Sequence, residues 1–196
     1  MSKGTKTRER IVATAAPLFN QRGIEGTSLS ALMDATGLEK GGIYRHFPSK
    51  QALAVEAFEY AWRQAVGTRL HRLDQIPNSV DKLKQFVANF VERRPPVPGG
   101  CPLLNSAIES DDGNPVLRKR AEQALQKWRE QLARIVATGI RKREIRREVD
   151  PRQVAILVIS SLEGALMIFR LASDREALRT IQKHLDQYLE TEVRAA

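Results

Sequence analysis

Residues 27–50, TSLSALMDATGLEKGGIYRHFPSK, constrain the fold of this chain more than any other stretch. Thr27 and Ser28 are both N-cap residue types, and Leu29, Leu32 and Met33 follow at helical spacing. Gly37 ends that helix and supplies the positive φ that a sharp helix-to-helix turn needs. A second helix then starts at Leu38 with Ile43 and Phe47 as inward anchors. Glu39, Lys40, Gly41, Gly42, Tyr44, Arg45 and His46 are left to face outward. Two short helices joined by a tight turn, the second nearly bare on its outer side, make a helix-turn-helix.

The paired glycines give that motif its chemistry. Each costs about 0.8–1 kcal/mol relative to alanine inside a helix, so a purely structural helix gains nothing from them. A helix that sits deep in a DNA groove does gain, because its backbone can approach base edges and phosphates. Lys40, Tyr44, Arg45, His46 and Lys50 offer donors where phosphates would lie. The plainer reading, a turn between two helices with a solvated polar face, leaves the glycine pair unexplained.

An opening amphipathic helix, then T-S-x-S-A-L-M, then G-L-E-K-G-G-I-Y-R-H-F-P-S-K-Q-A-L, resembles the DNA-binding domain of the TetR family of bacterial one-component repressors. The likeness covers about the first fifty to sixty residues, with glycine, aromatic and lysine positions in register. It implies DNA contacts, mainly to phosphate, from Thr27, Lys40, Gly41, Gly42, Tyr44, Arg45, His46 and Lys50. Each subunit of a dimer would place residues 38–46 in a major groove of a palindromic operator.

Composition agrees with an anionic partner: the formal charge is +9 and the pI near 10.0. Residues 1–50 carry eight Lys/Arg against four acids, but residues 118–152 carry twelve against five. Within it the run RKREIRREVDP, 141–151, is read as helix-end cations offsetting a dipole, with a second nucleic-acid surface as the alternative. A single cysteine excludes an intrachain disulfide framework and fits a reducing cytosol. The basic N-terminus is followed by no unbroken apolar run, so a cytoplasmic protein without a signal peptide is expected.

No segment alternates like a strand, and the chain reads as all-α. A three-helix DNA-binding domain over residues 1–50 is expected to join a helical effector-binding and dimerisation domain over 51–196. The first helix spans Thr5 to Arg22 with Pro17 inside it, where a kink is expected. Lys3, Lys6, Arg8 and Arg10 form a basic tail that either reaches phosphates or is simply solvated. Ser49 caps a fourth helix running toward Leu73, placed to act as a lever between head and body. An amphipathic helix with Leu83, Phe86, Val87, Phe90 and Val91 follows. RRPPVPGGCP then breaks all regular structure, leading to a short helix at 103–110, a DDGNP turn and a long helix that Asn114 caps.

The penultimate helix, 152–171, is apolar on nearly every face, and such a helix must be buried on all sides. Ser160, Ser161, Glu163 and Arg170 interrupt it, so it reads as a buried helix and not a membrane span. A second copy of the chain covers one side most easily, and TetR-like proteins pair through a four-helix bundle. Ile156, Ile159, Leu162, Leu166, Ile181, Leu185 and Tyr188 are the expected interface, with Gly164 and Ala165 allowing close approach. Two helices packed inside a monomer are the alternative.

Nothing supports catalysis. His46, His71 and His184 lack metal spacing, no nucleophile or phosphate-loop motif appears, and neither a metal nor a cofactor is expected. Glu109, Asp111 and Asp112 read as a solvated helix end rather than an acid–base pair. Cys101 lies at a helix start, where a dipole lowers a thiol pKa; a small apolar core residue is the favoured reading and a sensing thiol the alternative. Trp62, Phe86, Phe90, Leu104, Asn105, Trp128 and Met167 are candidate lining for a small-molecule effector, with Glu163 as a further polar group. Few polar residues favour an apolar or aromatic ligand. The leading reading is therefore a ligand-responsive homodimeric repressor, against a helical redox sensor or small-molecule binder with a vestigial helix-turn-helix.

Overall fold

The computed structural model describes residues 3–109 and 114–195 of the 196-residue chain. It is all-helical: α1 (Lys3–Arg22), α2 (Leu29–Thr36), α3 (Lys40–Tyr44), α4 (Lys50–Arg69), α5 (Ser79–Glu92), α6 (Pro102–Glu109), α7 (Pro115–Arg141), α8 (Pro151–Ala172) and α9 (Glu176–Tyr188). A short 3-10 turn, Leu73–Gln75, precedes α5, and a single π-helical turn, Leu189–Val193, ends the chain's helical part. No strand occurs among the described residues; Ile145 and Arg194 form one isolated bridge. Asp111 and Asp112, in the expected turn, lie outside the described residues.

Two compact units form, and local chemistry explains how each is built. The first takes residues up to Ala65 together with Pro95–Ala124; the second takes Val66–Arg94 and the chain from Leu125 onward. In the first, Ile11, Ala15 and Ala16 of α1 are fully buried with Leu32, Ile43 and Phe47, the anchors of the helix-turn-helix. The Ser28 hydroxyl caps α2 by accepting from Ala31 N, and Gly37 closes it at φ 66°. The N–H groups of both Gly37 and Leu38 donate to Met33 O, at 2.8 and 3.3 Å. Leu38 is thus spent in ending α2, which is why α3 starts at Lys40 and not at the expected Leu38. The Ser49 hydroxyl caps α4 as expected, accepting from Ala52 N at 3.1 Å.

The proline–glycine segment and α6 are fastened to the end of α1. Asn105 donates to Asn20 O at 2.9 Å and to Gly99 O at 2.9 Å, while Asn20 donates to Pro98 O at 2.8 Å. Gly99 holds φ +113°, and a Cβ there would meet Asn20 O at 2.6 Å. Only glycine fits so close to a carbonyl. Glu109 accepts from Ile24 N in the turn between α1 and α2.

In the second unit α5, α8 and α9 pack together around Val80, Leu83, Phe86, Val158, Leu162 and Leu185. The Asn78 side chain caps α5, and Asp150 caps α8 with Pro151 at its first position. The Ser79 hydroxyl and N–H hold the Glu144 carboxyl below its usual range. After α7 the chain turns at Arg143 in the left-handed region, φ +61°. A side chain there costs about 1–2 kcal/mol that glycine avoids. Arg143→Gly is therefore expected to raise stability by roughly 0.5–1 kcal/mol net of glycine's unfolded-state entropy, seen as a higher urea midpoint at unchanged slope.

Within the chain α8 is covered on one side: Val154, Ala155, Val158, Ile159, Leu162 and Ala165 are buried, whereas Ile156, Leu157, Met167, Ile168 and Leu171 are exposed, which speaks against the alternative of both helices packed inside a monomer. These exposed residues recur at helical spacing along one stripe, and Leu171 is 82% exposed. α8 is also the one helix among the described residues long and apolar enough to cross a membrane, by length and composition alone.

Candidate functional site

α3 presents the face expected of it. Ile43 is 2% exposed and Phe47 1%, so the short helix is pinned inward by those two side chains. Lys40, Gly41, Tyr44 and Arg45 are exposed, with Gly42 and His46 half-buried beside them. An ideal Cβ on Gly41 meets nothing within 4 Å, and one on Gly42 reaches only the Leu38 side chain at 3.4 Å. Neither glycine has a positive φ. The chain's own packing therefore does not require glycine at Gly41, while helix propensity argues against it.

Two residues expected at the DNA face are instead directed inward. Thr27 is fully buried, and its hydroxyl donates to Gly23 O at 2.6 Å. The Lys50 ammonium donates to Ile24 O at 2.8 Å and Thr27 O at 3.4 Å. Both side chains close the turn between α1 and α2 and so hold α2 and α3 in place. The basic tail is corrected as well, because α1 already begins at Lys3. Arg8 pairs with Glu56 and lies 4.8 Å over the Phe47 ring, and Arg10 donates to Thr36 O at 2.8 Å. Lys6 remains exposed on α1.

The expected effector-lining residues divide between the two units. Trp62, Leu104 and Asn105 belong to the first, where Asn105 serves the clasp to Asn20 and Gly99. Phe86, Phe90, Trp128 and Met167 belong to the second. Met167 is 49% exposed on the bare stripe of α8, not inside a core. Phe86 and Trp128 are buried with ring centroids 6.1 Å apart, and Phe90 stacks on Trp128 at 6.4 Å with planes 10° apart. Over those two rings lies Arg69, its guanidinium carbon 4.4 Å from the Trp128 centroid and 4.7 Å from Phe90. Sequence reasoning missed Arg69, since a cation in the last turn of a helix reads as a dipole partner.

Of the residues expected between subunits, Ile156 is exposed, and Leu166, Ile181 and Tyr188 are half-buried. Ile159, Leu162 and Leu185 are buried in the chain's own core, because the helical period places them on the faces where α5, α8 and α9 pack together. Cys101 is buried, 2% exposed, immediately before α6, which suits a small core residue better than a reactive thiol. Among the described residues no three His, Cys, Asp or Glu side chains are placed to hold a metal ion.

A helix-turn-helix with a bare, basic outer face on an all-helical body defines a DNA-binding transcriptional regulator. Residues 11–57 match the family described as bacterial regulatory proteins, tetR family, and residues 79–185 match the tetracyclin repressor-like C-terminal domain. The chain belongs to the TetR family. It is similar to a TetR transcriptional regulator from Chloroflexus aurantiacus, at 47% identity over all of both chains with a TM-score of 0.94. It is 25% identical to the HTH-type transcriptional repressor DhaR of Mycobacterium sp. (strain GP1), over 89% of this chain and 87% of that one. Nucleoid occlusion factor SlmA of Vibrio campbellii is 29% identical, with 86% of each chain covered.

Proposed function

We propose that this protein is a homodimeric repressor, acting in the cytoplasm, that a small molecule releases from a palindromic operator. Residues 1–50 act as the DNA-binding head and residues 51–196 as the effector-binding and dimerisation body. Each subunit inserts α3 in a major groove, with Lys40, Gly41, Gly42, Tyr44, Arg45 and His46 at the DNA and Thr27 and Lys50 bracing them from behind. The observation that carries the reading is Gly41: a glycine that weakens its helix, is exposed, and has open space where a Cβ would go. Similarity to a transcriptional repressor supports the direction of control. The exposed stripe of α8 supports pairing, since it leaves five large apolar residues in water in a lone chain.

Effector binding must favour one arrangement of the heads over another, because a ligand with equal affinity for both shifts nothing. α4 is the physical link, running from its cap beside α3 to Arg69.

The deciding measurement is fluorescence anisotropy on DNA flanking the protein's own gene, at about 150 mM salt against scrambled competitor, because basic proteins bind any DNA at low salt. Saturable, selective binding is expected. Tyr44→Ala is expected to weaken it by about tenfold while the dimer persists in sedimentation, a loss of about 1.4 kcal/mol. Wild-type affinity in that variant removes Tyr44 from the interface. Similarity to SlmA favours a second reading, in which DNA binding serves nucleoid occlusion rather than transcription. A reporter gene behind the bound site separates the two: repression supports the first, and selective binding without repression supports the second.

A further inference from the structure

We propose that Trp128, Phe90 and Glu163 form a binding site for a small organic cation, and that the Arg69 guanidinium is its built-in occupant. This deepens the effector part of the reading above and rests on it for the link to DNA. Arg69 is 6% exposed, lies over both rings, and meets Glu163 Oε1 at 3.4 Å. Two aromatic faces and a carboxylate all favour a positive charge at one place, whereas Arg69 itself would favour an anion. The chemistry of these side chains therefore favours a cation.

The contact to Glu163 is well beyond the 2.7–2.9 Å of a strong charge-assisted bond, and a buried ion pair of this kind gains little over its desolvation cost. A ligand cation replaces the guanidinium by supplying the charge that the rings and the carboxylate would otherwise lose. Arg69 is also the last residue of α4, with the left-handed Arg72 shortly after, so its side chain can leave without breaking a helix interior. Phe90 and Glu163 are half-buried, which gives the ligand an edge to enter by. Arg69 O and His71 O are held by the Asn89 amide at 3.1 and 2.9 Å. The guanidinium belongs to the last residue of α4, so its release is the event that would reach that helix, whose other end follows α3.

The test uses the full chain without DNA. Phenyltrimethylammonium, its neutral isostere tert-butylbenzene and phenylacetate are titrated while tryptophan emission and binding heat are followed. The cation is expected to bind saturably, and the other two are not. Arg69→Met, which removes the competitor, is expected to tighten cation binding by about fivefold or more. Glu163→Gln is expected to weaken it by about tenfold. If Glu163→Gln does not fold by circular dichroism, Phe90→Leu takes its place with the same expectation. Absence of cation binding in both the wild type and Arg69→Met overturns the proposal. Phenylacetate binding that Arg69→Met abolishes overturns it too, in favour of an anion site. Operator selectivity is scored separately by anisotropy, so its failure counts against the repressor reading and leaves this site standing.

Discussion

Gly164→Arg is expected to give a folded subunit that no longer pairs and that binds operator DNA about a hundredfold or more weaker. Gly164 sits midway along α8 on the stripe that carries Ile156, Ser160, Met167, Ile168 and Leu171. A Cβ at this position meets nothing within 4 Å, so the first atom of the new side chain has room inside the subunit. The substitution even improves helix propensity, by about 0.8 kcal/mol. In the proposed pairing of two α8 helices about a two-fold axis, the small residues Ser160 and Gly164 would set the distance of approach, because Ala165, expected beside Gly164, is buried in the subunit's own core. Two guanidinium groups brought to that axis are desolvated without a partner, at a cost of several kcal/mol. A lone subunit then holds one half-site, and the avidity of paired heads is lost. Sedimentation velocity gives the oligomer, a thermal melt gives the fold, and anisotropy gives the affinity. A variant that stays dimeric at wild-type strength excludes this face of α8 from the contact.

Gly41→Ala separates stability from binding in the opposite way. Alanine is the better helix former and meets no neighbour at this exposed site, so stability is expected to stay level or rise by up to about 1 kcal/mol. Operator affinity is expected to fall by about tenfold or more, because a methyl group now stands between the α3 backbone and the DNA. The two effects have different signs, which a general loss of structure cannot produce. Gly42→Ala is the less clean variant, since its Cβ reaches Leu38 at 3.4 Å. Unchanged DNA binding in a stabilised Gly41→Ala protein would show that the glycine pair serves no approach to DNA.

The two predictions depend on different kinds of information, and the same division runs through the molecule. The helices, their caps and the turn at Gly37 were legible in the sequence, because each depends on residues within four or five positions of one another. Ser28, Ser49 and Asn114 cap the helices that they were expected to cap, and Asn78 and Asp150, which were not singled out, do the same for α5 and α8. The outward face of α3 was legible for the same reason: Ile43 and Phe47 lie one turn apart and fix the remaining residues by the helical period.

Tertiary structure decided which side chains were already engaged. Thr27 and Lys50 have the composition of a DNA contact, but the turn at Gly23–Ile24 comes close enough to take both. The apolar pattern of α8 gave no sign of which half α5 and α9 would cover, because nearly every face carried an apolar residue. Arg69 was invisible from sequence as an interior group, since its partners Phe90, Trp128 and Glu163 lie 21, 59 and 94 positions away. Sequence determined what each segment can form, through short-range hydrogen bonds and periodicity. Which charges were drawn inside and which apolar faces were left bare followed only from packing between segments distant in the chain.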